Sequence, residues 1–241
     1  MLRIENIDDD RCLPEYVTAL MEDMLWLGLA WDGEPLLQSA RHEAYRAALD
    51  QLERLGIVYE DEASHDEMIA ALHAPHHGLS LFDSEVVRVV HERDIVADGD
   101  RPAWRLSMVK AREIAAATMV VELLDGEEVS RPADPWRFGD PVIARRDSGT
   151  TYHLSSVVDD IHQGVTHVVR GLELRELADL HAVLRVVLGS QPPVFVHHDI
   201  VRDNEGNRLS KRNNAQSLRS LRAAGWTPAE ILDSVGAPQP R

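Results

Sequence analysis

Residues 141–198 read PVIARRDSGTTYHLSSVVDDIHQGVTHVVRGLELRELADLHAVLRVVLGSQPPVFVHH, and they alternate between strand-like and helix-like periodicity. Val142 to Ala144 is a short apolar strand, Ser155 to His162 a helix, and Thr166 to Val169 a second strand ending on Arg170-Gly171. A long helix follows with Leu174, Leu177, Leu180 and Leu184 on one face, and Val194 to Val196 forms a third strand. This order predicts a parallel α/β layer, in which ligands bind at the carboxyl ends of the strands. Arg170 then sits where such a sheet meets its ligand, with a fork that can clamp a carboxylate through two bonds. Tyr152, one element earlier, offers a phenolic donor to the same ligand. The same residues also read as a structural Arg–Asp pair beside a core tyrosine.

Working toward the N-terminus, residues 57–138 have a different texture and read as an inserted, strand-rich subdomain. Ser64-His65-Asp66-Glu67 fits a capping box for a short helix stopped by Pro75. Val86 to Val90, Trp104 to Met108 and Thr118 to Leu124 read as strands, with turns at Asp98-Gly99 and Asp125-Gly126. Residues 1–56 open with a strand at Leu2, Ile4 and Ile7. A helix follows from Pro14, with Val17, Leu20, Met21, Met24 and Leu25 at helical spacing and Gly28 at its end. Ser39 is placed to cap a second helix carrying Tyr45, Leu49, Leu52 and Leu55, closed by Gly56. Residues 139–200 hold the α/β alternation quoted above. Residues 201–241 hold a charged loop and a capping box at Thr227-Pro228-Ala229-Glu230.

The chain has 241 residues, enough to bury roughly 70% of its unfolded surface without covalent staples. Against 25 Lys and Arg stand 41 Asp and Glu, for a net charge of −16, which excludes a generally basic nucleic-acid coat. The single cysteine, Cys12, excludes an internal disulfide framework and predicts a reducing, cytoplasmic setting. No apolar run is long enough for a membrane span, and the N-terminus has no signal-peptide pattern. Charge is nonetheless unevenly spread. Between Glu205 and Arg222 there are five basic residues and one acidic residue, a local +4. Arg208, Ser210, Lys211 and Arg212 lie in that loop, suited to polyphosphate charge; a solvated basic loop is the other reading. Glu5, at the end of the first strand, can hold an amino group or cap the next turn.

Taken together, LRIENIDDDRCLPEY, LWLGLAWDGEPLLQSARHEAYRAAL, YHLSSVVDDIHQGVTHVVRG and RLSKRNNAQSLRSLRAAGWTPAEIL resemble the catalytic core of class I aminoacyl-tRNA synthetases of the glutamyl branch, and most closely its short glutamyl-queuosine form. The resemblance covers nearly all of residues 1–56 and 139–236. It implies a Rossmann-like α/β core with an inserted strand-rich subdomain. It also implies an ATP-dependent ligase, a monomer that activates L-glutamate with ATP and Mg2+ and passes it to the queuosine base of tRNA(Asp). Arg208-Leu209-Ser210-Lys211-Arg212 matches the family's KMSKS-type loop, with Lys211 reaching the ATP phosphates beside Ser210 and Arg208. Glu5 matches the acid that binds the glutamate ammonium, and Tyr152 and Arg170 match the pocket pair for the same amino acid.

Several positions depart from the family pattern. No His-x-Gly-His occurs in the sequence, so the N-terminal strand and the HIGH helix of the family are expected to be missing through a mis-set start or an incomplete gene model. Asn6 stands for the usual aspartate, and Asn213-Asn214 for the usual Asp-Gly. The subdomain carries no cysteine, and His73, His76, His77 and His91 lack paired ligand spacing, so zinc is not expected. The 29 residues after Arg212 leave no room for a large anticodon-binding region, which implies the short form over an ordinary glutamate–tRNA ligase fragment. A non-catalytic RNA-binding paralogue is the third reading.

Overall fold

The computed structural model describes residues 1–7, 12–61, 103–135, 139–145, 149–201 and 217–236. It divides into two compact units, Met1–Ala40 with Ile200–Arg241, and Arg41–Asp199. In the first unit, strand β1 (Arg3–Ile4) pairs in parallel with β2 (Leu36–Leu37), in the register Arg3↔Leu36 and Ile4↔Leu37. Helix α1 (Pro14–Trp26) starts at the predicted proline and stops before Gly28, whose φ of 80° ends the turn in the left-handed region. Ser39 is not a helix cap. It lies in a short 3-10 turn, where its hydroxyl accepts from Asn6 Nδ2 (2.8 Å) and its N–H donates to Asn6 Oδ1 (3.1 Å). Asn6 thus braces the end of β1 against the 3-10 turn.

The second unit holds α2 (His42–Arg54), β3 (Val58–Asp61), β4 (Ala103–Leu106), α3 (Met108–Ala115), β5 (Met119–Leu124), β6 (Glu127–Pro132) and β7 (Val142–Arg145). It continues through α4 (Tyr152–His162), β8 (His167–Gly171), α5 (Leu177–Val187) and β9 (Val194–His198). Two short helices, α6 (Leu218–Ala223) and α7 (Pro228–Ser234), belong to the first unit. The expected capping box opens α7, with Thr227 and Glu230 bonding reciprocally. Arg219 pairs with Glu22 at 3.3 Å, and Arg222 lies over the Trp26 ring at 5.5 Å.

Of the three strands expected to form one parallel layer over 141–198, β8 and β9 do so together with β5, whereas β7 pairs antiparallel with β4 in another sheet. Strands β5, β9 and β8 run parallel, and β6 adds an antiparallel edge in the order β6-β5-β9-β8. Strands β3, β4 and β7 form a separate antiparallel sheet. Strands read as part of a subdomain over 57–138 are therefore hydrogen-bonded to strands beyond it, β4 to β7 and β5 to β9. The β5–β6 hairpin turns at Asp125 and Gly126, both with positive φ (51° and 85°), as a two-residue turn matching strand twist requires.

Three local readings differ from the structure. The strand at Trp104 stops at Leu106, and Met108 begins α3, because the cap comes from far along the chain: the Met108 N–H donates to Asp140 Oδ1 at 2.9 Å. Helix α4 begins at Tyr152, three residues earlier than expected, and Leu174 lies in a 3-10 turn before α5. The readings at Ser64–Glu67, Val86–Val90 and Asp98-Gly99 lie outside the described residues. Among the described residues no helix is long and apolar enough to cross a membrane.

Helix α5 organises the unit because both of its sides are covered. Leu177, Leu180, Val183, Leu184 and Val187 join residues of α2, α3, α4, β4 and β7 in the main core. Ala178 and Ala182, one turn apart, pack with Val120 of β5 and Phe195 of β9. Small residues at that spacing let the helix approach the sheet closely. A helix buried all round needs partners for its polar groups. Asp179 and His181 find them, and Arg185 does so through Nη1, while its buried Nε has no hydrogen bond.

Candidate active site

The site is built from the carboxyl ends of β8 and β9. Their parallel register places Arg170 opposite His197 and Val168 opposite Phe195, so alternate residues of both strands share one face. The guanidinium of Arg170 lies 5.0 Å from the centre of the Phe195 ring, and the His197 imidazole stacks on that ring at 10° and 6.2 Å. Arg170 Nε donates to His197 Nε2 at 3.4 Å, and Nη1 reaches His181 Nδ1 on α5 at 3.1 Å.

Tyr152 enters the same cluster from α4. The Thr151 hydroxyl does not cap this helix; it donates to the carbonyls of Val142 (3.2 Å) and Ile143 (3.0 Å) and so ties the helix start to β7. The Tyr152 ring lies 5.6 Å from that of His181, and its hydroxyl faces Arg170 as a hydrogen-bonding partner that favours the charged guanidinium. A buried tripod of Asp159, Arg41 (2.6 Å) and Tyr45 (2.8 Å) pins α4 to α2. Tyr152 and Arg170, predicted as a pair, are thus brought together.

Arginine has only donors, so its partners fix the direction of every hydrogen bond in the chain. His181 Nδ1 accepts from Arg170, which puts the His181 hydrogen on Nε2; that nitrogen lies 3.3 Å from His153 Nδ1 and donates to it. His197 Nε2 likewise accepts and carries no hydrogen. Each neighbour of Arg170 named here is therefore neutral. Burial works against its charge, and Tyr152 and the more distant Asp160 and Glu122 work for it; the balance lowers its pKa. Among the described residues no carboxylate lies within ion-pair distance, and the buried Nη2 has no well-formed hydrogen bond. The Arg–Asp reading of Arg170 does not hold among these residues. The arrangement is a charged, positioned donor with spare capacity, which suits an anionic ligand.

Glu5 lies in the first unit, about half exposed, 3.8 Å from Arg3. Arg208, Ser210 and Lys211 lie outside the described residues, as do His73, His76, His77 and His91. Sequence reasoning did not single out His181, His197 or Glu122. The signals were there: two histidines ending an apolar strand, a histidine within an otherwise apolar helix, and a glutamate inside the Val-Val-Glu-Leu-Leu run.

Comparison with known proteins sets this geometry in context. A family model, tRNA synthetases class I (E and Q), catalytic domain, matches residues 1–236. A glutamyl-Q tRNA(Asp) synthetase of Rhodobacter capsulatus is 39% identical over 98% of this chain and 87% of its own length. A glutamate–tRNA ligase of Synechococcus sp. is 36% identical over 96% of this chain, which spans 48% of that protein. A solved glutamate tRNA ligase from Elizabethkingia meningosepticum, in complex with its amino acid, shares the fold with a TM-score of 0.62 at 24% identity, over 88% of this chain and 45% of the other. The chain thus spans about half the length of these two ligases. With a family match running from residue 1 to 236, the chain belongs to the class I tRNA synthetases (E and Q), ligases of the aminoacyl-tRNA synthetase type.

Proposed function

We propose that this chain activates L-glutamate with ATP and transfers the glutamyl group to the queuosine base of tRNA(Asp), acting as a cytoplasmic monomer. The observation that carries the amino-acid reading is Arg170, held in place by neutral partners with Nη2 left over for a carboxylate. Its guanidinium binds a glutamate carboxylate, and the Tyr152 hydroxyl adds a neutral donor. Glu5 takes the ammonium, and Lys211, with Ser210 and Arg208, takes the ATP phosphates, as the family resemblance implies. In activation, a carboxylate oxygen attacks the α-phosphorus of ATP and pyrophosphate leaves. In transfer, an RNA hydroxyl attacks the acyl carbon and AMP leaves. The protein forms no covalent intermediate; it orients the reactants and stabilises charge. Enzymes of this class use ATP, generally with Mg2+. Among the described residues no three His, Cys, Asp or Glu side chains come together as a metal site, so Mg2+ enters this proposal as the companion of the ATP phosphates.

Support for queuosine as the acceptor comes from the 39% identity to the Rhodobacter capsulatus glutamyl-Q tRNA(Asp) synthetase. The 36% identity to the Synechococcus ligase favours a second reading, ordinary charging of a tRNA 3′ end. Labelled glutamate separates the two. Label should enter queuosine-containing tRNA(Asp) even when its 3′-terminal adenosine has been removed, and should not enter tRNA(Asp) that lacks queuosine. Labelling that requires the terminal adenosine and ignores queuosine selects the second reading; no labelling and no glutamate-dependent pyrophosphate exchange rejects both.

A further inference from the structure

Arg170 is flanked by histidines although a buried carboxylate stands nearby. Glu122 projects from the same face of the sheet as Phe195, its register partner, and its side chain is 4% exposed. Its Oε1 lies 3.4 Å from His197 Nδ1, while His197 Nε2 accepts from Arg170 on the other side of the ring. One neutral imidazole therefore separates a buried carboxylate from a buried guanidinium. The hydrogen absent from Nε2 must sit on Nδ1, on the side of the ring nearer Glu122, with no well-formed hydrogen bond to it. Stacking on Phe195 holds the ring in that plane. Glu122 is engaged from outside by Arg175 (2.7 and 3.2 Å) and Arg131 (3.4 Å).

We propose that His197 is a positioning residue that insulates Arg170 from Glu122, holding the guanidinium by Nε while keeping it unpaired for the carboxylate of an incoming amino acid. Opposite charges in a dry interior attract strongly. Without the ring, Glu122 would compete with substrate for the same arginine. Taking that amino acid to be glutamate rests on the function proposed above; the insulation itself does not.

The test titrates L-glutamate calorimetrically into the full chain and its variants, each checked for folding by circular dichroism. His197→Ala should weaken binding by about tenfold or more, roughly the loss of one charge-assisted hydrogen bond. His197→Gln should stay within about threefold, because its amide oxygen can accept from Arg170 and its NH2 can face Glu122. Adding Glu122→Gln to His197→Ala should recover most of the loss, since the competing charge is gone. A purely structural role predicts that the double variant is no better than the single one, and that result, or an unchanged His197→Ala, overturns the proposal. If the unaltered chain binds no glutamate, the glutamate reading fails, and nitrogen-15 NMR of His197 decides the insulation separately. A neutral ring with hydrogen on Nδ1 at pH 7 supports it; a protonated ring, or hydrogen on Nε2, overturns it.

Discussion

Glu122 and Arg170 stand two strands apart on one face of the same sheet, yet the charges around them are organised in opposite ways. Glu122 meets Arg175 and Arg131, and Arg131 forks onto Asp179 (2.7 and 2.8 Å), which also accepts from the Asp134 N–H. Two carboxylates face two guanidiniums, so that cluster is balanced. Around Arg170 the partners are Tyr152, His181 and His197, and the positive charge has no counterpart among the described residues. A buried ion that serves only the fold is neutralised by the protein itself. One left short of a partner, at the carboxyl ends of parallel strands, is a candidate for completion by a ligand.

Breaking the unbalanced side should have the largest effect. Arg170→Ala should weaken glutamate binding about 1000-fold, near 4 kcal/mol, in the same calorimetric titration. Binding within about threefold of the unaltered chain would remove Arg170 from the pocket. Breaking the balanced side should act on stability. Asp179 is fully buried, so Asp179→Ala leaves Arg131 only its longer bond to Glu122 and strips the Asp134 N–H of its acceptor, and it should cost about 3 kcal/mol in urea denaturation.

The boundary between the two clusters can be read by pH. Burial, then the charge of Arg170, holds His197 down to about 4 from an ordinary 6.5. The unfolded chain therefore takes up this proton first, and stability should fall as pH drops from about 6.5 to 4, by up to about 3 kcal/mol. His197→Gln should flatten that slope in denaturation midpoints. Glu122 behaves differently. Its burial would raise its pKa, but Arg175 and Arg131 outweigh it and hold the carboxyl below 4.5, so its contribution is present above that value and is lost only as pH falls further. The smallest effect belongs to the rim. Arg175 is 45% exposed, and Arg175→Lys keeps the charge but not the fork, for a loss of about 0.5–1 kcal/mol with glutamate binding unchanged.

Much of this contrast could not be read along the chain. Arg170 and Tyr152 were legible because each sits at a recognisable point of the alternation, a strand end and a helix start. His197 and Glu122 were not, since their importance lies in a cross-strand register that brings residues 122, 170 and 197 onto one face. Helix α3 was missed for a related reason. Its start is capped by Asp140, 32 residues away, where local reasoning looks for a cap next door. Ser39 misled in the opposite direction, as a good capping residue already committed to Asn6.

By itself the sequence determined what depends on near neighbours. The capping box at Thr227, the Asp125-Gly126 hairpin, the proline start and glycine stop of α1, and the strand–helix alternation of 141–198 all follow from steric and hydrogen-bonding preferences within a few residues. Tertiary structure alone decided which side chains share a face and which charges are balanced. Strand register and the double burial of α5 set those distances, and at close range in a dry interior they decide whether an arginine is already paired or still available.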